Sequence, residues 1–278
     1  MKKILLPCDF SRTAEEAFRF AIRIADKNER EIHVLYVIDS SFGNNTASEL
    51  SHVASFNGVF MQRIEEQLHE KFVALKTKHK ADHISTFFTI ELGLLPQNIE
   101  KYIKEKQIDL VAMGTNGASG LKELFVGSNT EKIIRNTRVP VVAVPLGSNT
   151  DTISDIIFPV DPADDPSNYL KELRFIQNLF HAKLQLLWIN TPNIFKSDGE
   201  ALDDLREFAE EYQLYNYKLN IRSDHTEHDG ILRFASEINA TLIFMPTHSR
   251  KGLAHWLTGS ITENVVNHVQ CPVWTCSI

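Results

Sequence analysis

Residues 109–140 read "DLVAMGTNGASGLKELFVGSNTEKIIRNTRVP" and residues 241–272 read "TLIFMPTHSRKGLAHWLTGSITENVVNHVQCP". The two align without a gap, and from 110 to 140 ten of thirty-one positions are identical. A second pair of segments recurs in the same order. "KKILLPCDFS" at 2–11 returns as "SDIIFPVDPA" at 154–163, an apolar run entering Pro-x-Asp, with Pro7 and Asp9 matched by Pro159 and Asp161. Two matched segments in a fixed order mark a tandem duplication. The halves are expected at 1–147 and 153–278, with the polar "LGSNTDTIS" (146–154) as the joint.

Each half alternates short apolar runs with amphipathic stretches. In the first, "KILLPCD" reads as a buried strand. A helix is expected from about Thr13, with Thr13 and Glu16 as a capping box and Ala14, Ala17, Phe18, Ala21, Ile22 and Ala25 as its apolar stripe. "EIHVLYVID" is a second strand. A polar loop from 39 to about 57 then leads to a helix with Met61, Ile64, Leu68, Phe72 and Leu75 inward. "STFFTIEL", a short helix carrying Ile99, Tyr102 and Ile103, "DLVAMG", a helix from Ser128 and "VPVVAVP" complete the half. The second half predicts helices near 166–181, 199–213, 229–239 and 260–269. Continuous apolar strands alternating with helices predict parallel sheets covered on both faces.

In such a sheet, ligands bind beyond the carboxyl ends of the strands, where strand order reverses. Asp9 ends the first strand and Gly114 the fourth, so they border one crevice if those strands are neighbours. Gly114 and Gly117 allow close backbone approach. Gly127 and Ser128 open a helix whose first amides have no internal partner, an arrangement suited to an anion, with Ser128 and Glu131 as the cap.

Composition narrows the function classes. The net charge of −7 opposes a nucleic-acid or anionic-membrane partner. The longest apolar runs, such as "PVVAVPL", stop far short of the ~20 residues of a membrane span, and "MKKILLPCDFS" reads as a strand and not as a leader. Cys8, Cys271 and Cys276 do not form a disulfide framework: Cys271 and Cys276 sit five apart on an apparent strand and face opposite ways, and Cys8 reads as a small buried hydrophobe. A reducing cytoplasm is expected.

The spacing Gly114-x2-Gly117-x9-Gly127-Ser128 resembles the ATP-binding signature of the universal stress proteins. "ILLPCDFS", "HVLYVID" and "RVPVVAVP" are similar to that family's first, second and last strands, and the resemblance covers both halves. It implies two tandem Rossmann-like α/β/α domains of the adenine nucleotide alpha hydrolase-like type, each with a five-stranded parallel sheet. It implies ATP or AMP, with Mg2+ as a companion ion. Pro7, Cys8 and Asp9 would line the adenine and ribose side, Val37 would pack on the adenine, and Met113 and Gly114 would sit by the ribose. Gly117, Gly127, Ser128 and Asn129 would offer amides and a hydroxyl to the phosphates. The resemblance also implies pairing of the two halves through their final strands, and leaves open a homodimer of chains.

The second half departs from the signature, with Pro246 and Ser249 in place of Gly114 and Gly117, although Gly252, Gly259, Ser260 and Glu263 remain. Nucleotide is therefore expected in the first half. His225, His228, His248 and His255, with Asp161 or Asp164, are the metal candidates, and surface or capping roles account for them more simply. No Walker A run, dinucleotide fingerprint or Ser-His-Asp arrangement is present, so the chain reads as a non-enzyme, slow ATP hydrolysis aside. A nucleotide-binding stress-response regulator is the first reading. The alternative is a nucleotide-independent interaction scaffold.

Overall fold

The computed structural model describes residues 2–26, 30–38, 47–115, 128–162, 165–247 and 259–277, with backbone alone for 47–60, 128, 129, 131, 136, 259, 260, 263 and 277. The chain divides into two compact units, Met1–Met113 and Gly114–Ile278.

In the first unit, β1 (Lys3–Pro7) lies between β2 (Glu31–Ile38) and β4 (Leu110–Thr115), with β3 (Thr86–Leu92) outside β2, all parallel. Ile4 pairs with Leu110 and Leu5 with Val111, so strands one and four are neighbours, as the crevice argument required. Ile4, Leu5 and Leu6 are fully buried, as a strand covered on both faces demands. On β3, Phe88 stacks on Phe72 of α2 (Ala47–Lys78), while the opposite face carries Thr89, hydrogen-bonded to Tyr102 of α3 (Leu95–Lys106). Helices thus cover both faces.

Two helix starts differ from expectation. α1 (Arg12–Asp26) is capped by Ser11, whose Oγ accepts the Ala14 amide at 3.2 Å. Thr13 is already inside the helix and bonds Ser11 Oγ at 2.8 Å, while Glu16 pairs with Arg19. The cap falls there because Asp9 Oδ1 accepts the Ser11 amide and fixes the preceding turn. The buried stripe includes Phe20 and Ile24, and Ile22 is only half-buried. α2 begins at Ala47, about ten residues early: Ser48, Ser51, Ser55 and Asn57 read as loop residues but lie on helix.

His33, on β2, is 5% exposed. Its Nδ1 lies 3.2 Å from the Tyr102 hydroxyl and its Nε2 3.3 Å from Glu31, with Phe87 stacked on the ring. Burial holds its pKa below the ordinary imidazole value; Glu31 pulls upward, while Lys3 and Lys106 add to the depression. Above the unfolded value of about 6.5 both states are neutral and stability is flat. As pH falls below it, the unfolded chain takes up the proton first and stability drops until the folded imidazole also titrates. Urea unfolding at pH 8 and 5.5 should show that loss, and His33→Gln should reduce it.

The second unit carries α4 (Ser128–Asn136), β5 (Val141–Pro145) and the complete second repeat. The strand order is β5-β10-β9-β6-β7-β8, with β6 (Asp155–Pro159), β7 (Lys183–Asn190), β8 (Tyr217–Ser223), β9 (Leu242–Thr247) and β10 (Val273–Ser277). All its pairs are parallel except β5–β10, where Val273 opposes Ala143, Trp274 opposes Val142 and Thr275 opposes Val141. Only Cys276 lies on β10. Cys271 precedes the strand, and all three thiols are free and buried.

α5 (Leu170–Phe180) is preceded by a 3-10 turn at Pro166–Asn168, where a continuous helix was expected. Asp165 caps that turn by accepting the Ser167 amide. Phe158 on β6 meets Phe208 of α6 (Asp198–Glu211), and Ile189 on the other face of the sheet meets α7 (Glu227–Glu237). α7 has Gly230 at that contact because a β-carbon there would stand 2.7 Å from an Ile189 methyl. α8 (Gly259–His268) follows β9 in sequence.

Candidate functional site

Parallel pairing brings the carboxyl ends of β1, β2 and β4 to one edge of the first unit. Pro7 closes β1, and the Cys8 amide donates to Leu35 O at 2.9 Å. The Cys8 thiol is 4% exposed and burial pushes its pKa up to about 12, so it carries no thiolate. Asp9 emerges exposed beyond the strand, one carboxylate oxygen holding the Ser11 amide at 2.9 Å. The chain turns at Phe10, which has a left-handed φ of 60°. A non-glycine residue there costs roughly 1–2 kcal/mol, offset by its ring stacking on Tyr36 and meeting Phe88 edge-on. Phe10 thus fixes where the Asp9 carboxylate stands. Val37, half-buried near the end of β2, and Met113, 5% exposed on β4, belong to the same unit.

Gly114 is half-buried on β4 and begins the second unit. Gly117 and Gly127 lie outside the described residues, as do the side chains of Ser128 and Asn129, whose backbone begins α4. The expected Ser128–Glu131 cap is likewise outside them. Sequence reasoning passed over Thr115, the last residue of β4. It is 4% exposed, and its hydroxyl has no hydrogen-bonding partner among the described residues. The signal was available, since Thr115 is one of the positions identical in the two repeats.

In the second repeat the end of β7 is closed. Ile189, in the register position of Val37, is fully buried. Asn190 accepts from Trp188 Nε1 at 2.8 Å and from the Lys196 amide at 3.0 Å, and its Nδ2 donates to Lys196 O. These bonds tie the segment after β7 down. Pro246 is buried within β9 and brings no amide hydrogen.

Among the described residues, clefts open elsewhere, at the amino ends of strands. One, of about 460 Å³, lies among Leu232, Asn239, Thr241, His268 and Cys271 of the second unit. The other, of about 290 Å³, lies among Asp26, Arg30, Glu31 and His83 of the first. Neither contains a signature residue. Among the described residues, no group of three or more His, Cys, Asp or Glu side chains could hold a metal, and His248 and His255 lie outside them. No described helix is long and apolar enough to cross a membrane.

The sequence profile of the universal stress protein family matches residues 1–145 and again 153–277. A universal stress protein of Methanocaldococcus jannaschii is 29% identical over 143 residues, which is 51% of this chain and 81% of that protein. One from Synechocystis sp. is 24% identical over 298 residues and covers 99% of both chains. The crystal structure of a universal stress protein from Archaeoglobus fulgidus matches 99% of this chain and 98% of its own at a TM-score of 0.76, with 23% identity, a likeness of fold. Matched by the same profile in each half, the chain belongs to the universal stress protein family as a tandem of two of its units.

Proposed function

We propose that this protein binds one adenine nucleotide, ATP or AMP, through its first repeat and acts as a regulatory module in a stress response. The observation that carries the reading is the asymmetry of the signature. Gly114, Gly117, Gly127 and Ser128 keep the phosphate-cradling spacing in one repeat, and Pro246 and Ser249 break it in the other. The described residues fit such a ligand. An exposed carboxylate at Asp9 is available to ribose hydroxyls or to Mg2+, Val37 is half open while its counterpart Ile189 is sealed, and α4 begins at Ser128, where the first amides have no partner within the helix.

The nucleotide is a regulatory ligand in this reading, and turnover by water near the phosphates is at most slow. The repeats divide at 1–147 and 153–278 and pair through β5 and β10, a pairing that would also remove two open sheet edges. The protein works in the cytoplasm. Equilibrium dialysis of the full chain against labelled ATP and AMP should return one site per chain. Two equal sites, or none, overturn the reading.

A further inference from the structure

The third strand of each repeat is a terminal strand, and the two edges are built differently. Among the described residues, β3 has only β2 beside it and β8 only β7. Register matches them residue for residue, since Ile32 pairs with Thr86 as Leu184 pairs with Tyr217. The Ile32 amide donates to Ser85 O and the Gly93 amide to Ile38 O, so Phe87, Thr89 and Glu91 bond β2, while Phe88, Ile90 and Leu92 turn their main-chain groups outward. On β8 the Leu184 amide donates to Asn216 O and the Asp224 amide to Asn190 O, which turns Ile221 outward. There the Arg222 guanidinium caps the Ile221 carbonyl, donating at 2.8 Å. Lys218 and Arg222 are both exposed, and such charges keep a free edge from pairing. At the matching positions β3 carries Phe87, 47% exposed, and Glu91, with Leu92, 61% exposed, in place of Ser223. Among the described residues, nothing bonds the outward carbonyls of Phe88 and Ile90.

We propose that β3 is the interface of a homodimer, pairing antiparallel with β3 of a second copy across a two-fold axis at Thr89. The side chains select that register. With the axis there, Phe88 stands opposite Ile90 of the second copy and the two Thr89 residues face each other. An aromatic–β-branched pair and a Thr–Thr pair are both of the kinds that stabilise sheets. Phe87 stands opposite Glu91, so the two Glu91 carboxylates do not meet, and each keeps Lys101 of its own chain at 3.7 Å. The same register on β8 would set Lys218 directly against Arg222 of the other copy. The β3 edge is thus self-complementary and the β8 edge self-repelling. An isologous pair closes on itself, so assembly stops at two chains. Nothing in this depends on the nucleotide.

Sedimentation equilibrium of the full chain should find a reversible dimer and nothing larger. Phe87→Lys combined with Glu91→Arg transfers the β8 charges to β3. It should weaken dimerisation at least about tenfold, because like charges then oppose each other twice. Circular dichroism should be unchanged, since both side chains reach solvent. Thr89→Cys should link two chains by a disulfide under mild oxidation. Directly opposed residues of that kind stand ~4.5 Å apart at Cα, within disulfide reach, and Cys8, Cys271 and Cys276 are buried. Ser223→Cys, exposed on β8, should stay unlinked. A parent that remains monomeric overturns the proposal. So does a dimer that the double variant leaves at full strength, or assembly beyond two chains. Should the double variant fail to fold, Thr89→Cys decides alone: a linked dimer supports pairing through β3, and unlinked chains overturn it.

Discussion

Changing Gly117 and Gly127 together to valine should abolish measurable ATP binding, weakening it by at least about a hundredfold, while the melting temperature stays within a few degrees of the parent. The magnitude follows from what the signature would supply. Each amide donating to a phosphate oxygen is a charge-assisted bond worth about 1.5–3 kcal/mol. Two branched side chains on the approach path would remove two or more of them, and a loss of about 3–6 kcal/mol is a factor of roughly 10² to 10⁴. Serine at Ser249 already marks the weaker version of this change in the second repeat. Calorimetry on the purified full chain measures the affinity, and circular dichroism checks the fold. The same variant separates the two functional readings. If stress protection in cells survives the loss of binding, the nucleotide is incidental and the interaction scaffold is the better account.

Much of this architecture was legible because buried parallel strands leave little freedom in sequence. "KILLP" and "DIIFP" cannot be amphipathic surface elements, and both became strands flanked by two neighbours. Position along helices was less legible, for a physical reason. Ser11 and Thr13 are equally good caps by composition, and the choice was made by the Asp9 carboxylate reaching the Ser11 amide. Asp165 likewise diverted the residues after it into a 3-10 turn. In α2, polar and small residues masked a helix because local propensity alone is a weak guide. The candidate site divides along the same line. Glycine spacing marks where backbone could approach a ligand, so the proposed set of Gly114, Gly117 and Gly127 was readable by eye. An unsatisfied hydroxyl such as that of Thr115 is a statement about every neighbour at once, and the sequence shows only that the threonine recurs in both repeats.

Phe158→Ala should cost about 3–5 kcal/mol of stability, a large share of the ~5–15 kcal/mol that holds a typical domain folded. The ring is 1% exposed, between Tyr169, Phe208 and Phe244, with centroids 5.7–6.3 Å away. Three aromatic neighbours cannot all collapse into the space left, so the cavity cost adds to the lost burial. Phe158→Leu should lose much less. Urea unfolding followed by fluorescence reports the event directly, because Trp188, Trp256 and Trp274 all fall in the second unit. The consequence for binding follows from where the chain divides. Although β6 belongs to the second repeat, its compact unit also holds α4 and β5 of the first, including the backbone of Ser128 and Asn129. Cooperative loss of that unit therefore takes α4, the helix proposed to hold the phosphates, with it. In the Phe158→Ala protein, bound nucleotide and tryptophan signal should disappear in one coincident transition at lower urea. Nucleotide retained after the fluorescence change would mean that the first repeat stands alone, and that the unit boundary at Met113 has no thermodynamic meaning.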